Sequence, residues 1–309
     1  MNTDSKGKLR RPILLALSVI LAAAFTMTPD LSFAGSTFSA GTSIRTASGA
    51  GYRVVTAGSK KIRKIGNYYF KTTSENIYYS TSKGSGYEKI SGAWSVATDG
   101  SSAYYFRTNS SCTVCRLKEL SLDTGEMASI KKYSLDDGHV SYDISAARGD
   151  YFYWTRWSEK SWSCSTYRFD PENETARLAK KHCSLYQQSG EYALGENKYH
   201  SDVSGVPVTL YRLTGSGKLI KVKRLAAYSC ETSAKIIGNK VYFLRGANRS
   251  LTKRASLYKG TLSNGSIRNI RKIRTFKAKS RYSQILVRSF HTRYCKIAVG
   301  GRIVKVSYK

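Results

Sequence analysis

The 309-residue chain carries 51 Lys and Arg against 20 Asp and Glu, a formal net charge of +31, together with 23 Tyr, 10 Phe and 4 Trp. After the first 34 residues no run is apolar enough to span a bilayer as a helix, which takes about 20 apolar residues, and long stretches of 3.6-residue periodicity are absent. A chain crossing a membrane by several helices and a helical bundle are thereby excluded, and a cationic excess this large either keeps a surface soluble or attracts polyanions.

Residues 1–34 have the layout of a secretory signal peptide. Lys6, Lys8, Arg10 and Arg11 precede the apolar run from Ile13 to Phe25, and Ser32-Phe33-Ala34 offers small residues at a cleavage site. The run is too short for an anchor. That segment holds four basic residues and the acids Asp4 and Asp30, so the remainder keeps +29. The expected product is secreted, extracellular or cell-wall associated, and has no transmembrane segment after signal cleavage. Residues 35–51, mostly Gly, Ser, Thr and Ala, read as a flexible lead-in or as a strand ordered by docking.

From residue 52 to 309 the texture is that of one β-repeat domain. Gly149-Asp150-Tyr151-Phe152-Tyr153-Trp154 is a turn feeding an aromatic run, a strand-start signal. Copies begin at Gly66, Gly100, Gly190 and Gly238. Each is followed by a second strand signal: Tyr87-Glu88-Lys89-Ile90, Leu117-Lys118-Glu119-Leu120, Thr166-Tyr167-Arg168-Phe169, Leu210-Tyr211-Arg212-Leu213 and Leu257-Tyr258-Lys259-Gly260. Lys118, Tyr167, Tyr211 and Tyr258 are spaced by 49, 44 and 47 residues, about the length of a four-stranded propeller blade. One such sheet cannot bury both faces alone, so the fold class expected is all-β, a single β-propeller of six four-stranded blades. Tyr294 to Val306, with the Gly300-Gly301 turn, reads as the first two strands of the sixth unit. A segment within 36–58 is expected to supply its outer strands, closing the ring with the N- and C-terminal segments.

Tyr153-Trp154-Thr155-Arg156, followed by Tyr167-Arg168-Phe169-Asp170, resembles the YWTD propellers of low-density-lipoprotein-receptor-like proteins. Leu122-Asp123-Thr124-Gly125 is close to that family's turn, whereas Arg156 stands where the family has Asp. The resemblance covers roughly residues 60–265 as repeat texture and is sharp only in the third unit. It looks nearest to the bacterial exported propellers of that group, and implies six blades and a protein-binding habit.

Catalytic signatures are lacking. Ser134-Leu135-Asp136-Asp137-Gly138 matches the Asp-box turn of sialidase-like propellers once, and an ordinary Asp-Gly turn explains it. His139, His182, His200 and His291 show no metal-ligand spacing, and no nucleophile-elbow motif is present. The expectation is a non-enzymatic binding module with no cofactor and no metal; a secreted propeller hydrolase acting on glycans is the alternative.

The six cysteines, Cys112, Cys115, Cys164, Cys183, Cys230 and Cys295, suit an oxidising compartment and are disulfide candidates. Cys164 and Cys183 flank the turn Asp170-Pro171-Glu172-Asn173 and are the favoured pair. Residues 210–309 hold 25 Lys or Arg and one acid, Glu231. Within them Arg268, Arg271, Lys272, Arg274, Lys277, Lys279 and Arg281 form the candidate polyanion-binding row. Alternate residues of a strand lie about 7 Å apart along one face. The rival role for such cations is to guard an edge strand. Expected partners of a monomeric chain are an anionic cell-wall polymer, a sulfated glycan or an extracellular protein, with nucleic acid less favoured.

Overall fold

The computed structural model describes residues 51–136, 138–196, 207–226, 233–246, 254–279 and 285–309, which form 24 strands and no helix. A short strand, β1 (Arg53–Thr56), precedes six antiparallel sheets taken in chain order. Sheet 1 is β2 (Lys61–Ile65), β3 (Tyr68–Thr72), β4 (Ile77–Ser80) and β5 (Glu88–Lys89). Sheet 2 is β6 (Ser95–Thr98), β7 (Ser102–Thr108), β8 (Val114–Ser121) and β9 (Met127–Ser134). Sheet 3 is β10 (Val140–Arg148), β11 (Tyr151–Ser158), β12 (Ser163–Asp170) and β13 (Thr175–Lys181). Sheet 4 is β14 (Ser184–Ser189), β15 (Tyr192–Glu196), β16 (Val208–Leu213) and β17 (Leu219–Ala226). Sheet 5 is β18 (Ala234–Ile237), β19 (Lys240–Gly246), β20 (Arg254–Ser263) and β21 (Ser266–Lys277). Sheet 6 has three strands among the described residues, β22 (Ile285–Phe290), β23 (Tyr294–Val299) and β24 (Arg302–Ser307).

This is an all-β propeller. The first strands of successive sheets touch one another, β6 with β10, β10 with β14 and β14 with β18. The fourth strands are the most exposed: β14 is buried along almost its whole length, whereas β9 and β13 have no buried residue. The glycine turns seen in the sequence join first to second strands. Gly66 and Gly100 occupy corresponding turns of sheets 1 and 2, both with positive φ, and a Cβ at Gly66 would lie 2.9 Å from the Gly100 Cα. Only glycine permits both that conformation and that approach.

The aromatic runs fill the spaces between sheets, because alternate strand residues face opposite ways. On β11, Phe152 and Trp154 pack with Phe106, Leu117 and Ile144 between sheets 2 and 3, while Tyr153 packs with Cys183, Leu185 and Tyr211 between sheets 3 and 4. Trp154 meets Phe106 edge-on at 5.2 Å and Phe169 at 5.4 Å, geometries that add to simple area burial. Lys118, Tyr167, Tyr211 and Tyr258 all lie on third strands, β8, β12, β16 and β20, so the spacing marks one repeated position.

Polar clasps supplement this packing. Gln187 donates to Ile236 O at 2.8 Å and accepts from Ile236 N at 2.9 Å, tying β14 to β18. Its neighbour Gln188 does the same in the opposite direction, with Ala147 N and O at 2.9 and 2.6 Å. The Tyr68 hydroxyl reaches Asp123 Oδ1 at 2.6 Å and Leu122 O at 2.8 Å, so the Leu-Asp-Thr-Gly turn docks on sheet 1. Tyr308 stacks on Tyr242 at 3.8 Å and accepts from Lys259 Nζ at 2.7 Å, joining the C-terminus to sheet 5.

Four expectations are corrected. The strand at 53–56 does not join sheet 6; β1 pairs with β6, with Arg53 opposite Thr98, making sheet 2 five-stranded. Residues 36–50 lie outside the described residues. The C-terminal unit has three strands rather than two, because β22 precedes the β23–β24 hairpin. In the first unit the third strand is β4, and Glu88 and Lys89 form the short fourth strand β5 instead. No disulfide is formed among the described cysteines. The β12–β13 pairing ends with Ser165 opposite Lys181, past a register shift between Thr166 and Tyr167, and does not extend to Cys164 and Cys183. Cys115 and Cys295 sit buried in separate clusters, Cys112 is exposed, and Cys230 lies outside the described residues. Burial pushes the Cys183 and Cys295 thiols up to about 11, which keeps them protonated and unreactive near neutral pH.

Candidate functional site

The candidate row falls on the outermost strand of sheet 5. Arg268, Arg271, Lys272, Arg274 and Lys277 are on β21 and exposed, and Lys279 lies just past it, also exposed. Arg281 is outside the described residues. Two-residue alternation holds at the end of the strand, where Phe276 is buried and Lys277 exposed. Earlier it is broken by register shifts at Leu257/Tyr258 and Lys259/Thr261, so Arg271 and Lys272 are both exposed. Arg274 lies over the Phe276 ring at 5.7 Å, and none of the β21 cations forms an ion pair among the described residues. Arg271 and Lys240 also help to lower the proton affinity of Lys259, after burial as the main cause.

The same chemistry recurs at the same position in other sheets. Fourth strands are Lys131 and Lys132 on β9; Arg177, Lys180 and Lys181 on β13; and Lys221, Lys223 and Arg224 on β17, every one exposed. No Asp or Glu occurs on β9, β13, β17 or β21. Four consecutive sheets therefore present cations on their outer edges. A search for one dense cluster finds only β21; the signal for the rest is position, since each set follows the third-strand marker and its polar turn. The acids sit elsewhere, several in turns, where Lys160 pairs with Asp136 at 3.0 Å and Arg212 with Glu191 at 2.8 Å.

The Asp-box segment is a link between β9 and β10. Asp136 has positive φ and holds Lys160, and His139 meets Glu159 at 3.3 Å, all exposed, which suits a structural turn. Among the described residues no three His, Cys, Asp or Glu side chains gather as a metal-binding set.

No protein family and no curated protein matches the sequence. Among solved structures the chain is similar to the β-propeller domain of the Trilobed protease from Pyrococcus furiosus, at 12% identity and a TM-score of 0.43, over 82% of this chain and 81% of that one. An oligogalacturonate lyase in complex with manganese gives 9% identity and 0.41 over 83% of each chain. TolB from Acinetobacter baumannii gives 10% and 0.36, over 84% of this chain and 63% of that one. Likenesses this distant carry no argument about function.

Proposed function

We propose that this chain is an exported, non-enzymatic, monomeric propeller that is retained on an anionic polymer, of the cell-wall or sulfated-glycan kind, by the cationic edges of its sheets. The supporting observation is the acid-free set of exposed Lys and Arg on the outer strands of four consecutive sheets. A cation near an anionic surface contributes on the order of 1 kcal/mol, within a Debye length of about 8–10 Å. Four to six engaged at once give roughly micromolar retention before the costs of association. Descent from the YWTD group belongs to the same reading. Its carrier, Tyr153-Trp154-Thr155, is buried in the stack and supports the fold rather than a contact surface.

The test is retention of residues 35–309 on a sulfated-glycan column and on purified anionic wall polymer across a salt gradient. Replacing Arg271, Lys272, Arg274 and Lys277 by Ser should lower both the elution salt and its slope. The β13 set Arg177→Ser, Lys180→Ser and Lys181→Ser should act in the same direction. Variants that elute as wild type would leave these cations as edge guards against aggregation.

A further inference from the structure

Between β1 and sheet 1 lies a small cleft that opens to solvent. Thr56, Ser59, Lys61, Arg63, Phe70 and Thr72 are among its lining residues, and no acid is. Lys61 and Arg63 are two residues apart on β2, so they project from one face about 7 Å apart, a span that brackets a single phosphate group. The Thr56 hydroxyl is buried without a hydrogen-bond partner in the protein, a cost that a bound water or a ligand oxygen offsets. By contrast the Thr72 hydroxyl is already committed to Ser59 O.

The charges reinforce the geometry. Burial lowers the proton affinity of Arg63, and burial together with Arg63 lowers that of Lys61. Lys235 on β18 is lowered by burial and by Lys61, so a third cation from sheet 5 approaches the same region. No carboxylate is among the causes acting on Lys61 or Arg63.

We infer that this cleft is a binding site for a compact phosphate dianion, with Arg63 as a two-pronged donor, Lys61 as a point charge and Thr56 as a hydroxyl donor. A guanidinium matches two phosphate oxygens at once. Two cations neutralise a dianion, whereas a carboxylate would leave one uncompensated. The same chemistry is offered by free inorganic phosphate and by the phosphomonoester end of a polymer. The site is separate from the outer strands and does not depend on the function proposed for them.

The experiment is calorimetric titration of residues 35–309 with inorganic phosphate, glycerol phosphate and, at matched ionic strength, acetate. Phosphate should bind saturably and acetate should not. Binding of glycerol phosphate as well assigns the site to phosphoester ends, and binding of inorganic phosphate alone assigns it to the free anion. Arg63→Gln and Lys61→Gln should each weaken binding at least tenfold, and Thr56→Val about threefold. Both charge-removing variants relieve repulsion, so without phosphate they should melt no lower than wild type, which separates lost binding from lost folding. The β21 variant with four Ser substitutions should bind phosphate as wild type does. An absence of saturable phosphate binding by the wild type, unchanged affinity in Arg63→Gln, or loss of binding in the β21 variant would overturn the site.

Discussion

Within this propeller the innermost and outermost strands are built by opposite rules. β14 reads Ser-Leu-Tyr-Gln-Gln-Ser, polar enough for a surface strand, yet it is buried almost throughout, with Gln187 1% exposed. β21 carries Ile267, Ile270 and Ile273, yet only Phe276 is buried and Ile270 is 37% exposed. In these two strands burial follows rank in the sheet and not hydropathy. Inner strands have neighbours on both faces and satisfy their polar groups by bonding across sheets. Outer strands have water beyond them and can spend their side chains on charge.

The contrast can be broken most severely at the aromatic layer. Trp154→Ala should destabilise the chain by about 3–5 kcal/mol, the usual cost of emptying a packed aromatic site, measured by denaturant unfolding. Next in size is Gln187→Ala, which leaves both polar groups of Ile236 unpaired between β14 and β18. A loss of about 1–3 kcal/mol is expected from that desolvation, with amide exchange on β18 accelerated before that on β21.

A smaller effect comes through pH. Asp143 on β10 accepts from the Ser95 hydroxyl, which in turn accepts from Ile144 N at 3.0 Å. Burial raises the Asp143 carboxyl from 3.8 to about 6, against the lowering effect of hydrogen bonds to it from Ser95 and from the Ile144 backbone. The folded chain therefore holds this proton more tightly than the unfolded chain. Its contribution to stability is present in full below about pH 4 and is lost as pH rises through 6. Asp143→Asn should flatten that part of the curve, read from urea midpoints across the same range. Smallest of all, Arg177→Ser, Lys180→Ser and Lys181→Ser on β13 should each change stability by less than about 0.5 kcal/mol. A loss as large as that from Gln187→Ala would erase the distinction between inner and outer strands.

Much of the fold was legible because its signals are local. Gly66, Gly100, Gly149, Gly190 and Gly238 mark turns whose positive φ restricts the residue, and the aromatic runs after them belong on pleated surfaces. The first unit was misaligned because β4 has four residues and β5 two, too short for a pattern to register. The partner of β1 was not legible, since an edge strand pairs wherever tertiary packing brings an open edge. Gln187 and Gln188 read as surface residues because sequence does not reveal strand rank. The β21 row stood out by density alone; the cations of β9, β13 and β17 are sparser and emerge only when the sheets are aligned. The cleft of Lys61 and Arg63 needed β1 as its second wall, so no linear motif announced it.

The pairing of β1 with β6 also governs the order in which the chain can come apart. It brackets the whole of sheet 1 between two hydrogen-bonded neighbours, so that sheet is a loop closed by its own flanks. Closing such a loop has an entropic cost that grows only slowly with length, and it is met once, when sheets 1 and 2 assemble together. In a linear repeat array the terminal unit frays alone. Here sheet 1, while β1 stays paired with β6, can unfold only as a closed loop, which reduces the entropy it gains and couples its stability to that of the five-stranded sheet. A protease cut between β1 and β2 would undo that linkage, whereas a cut ahead of β1 would not.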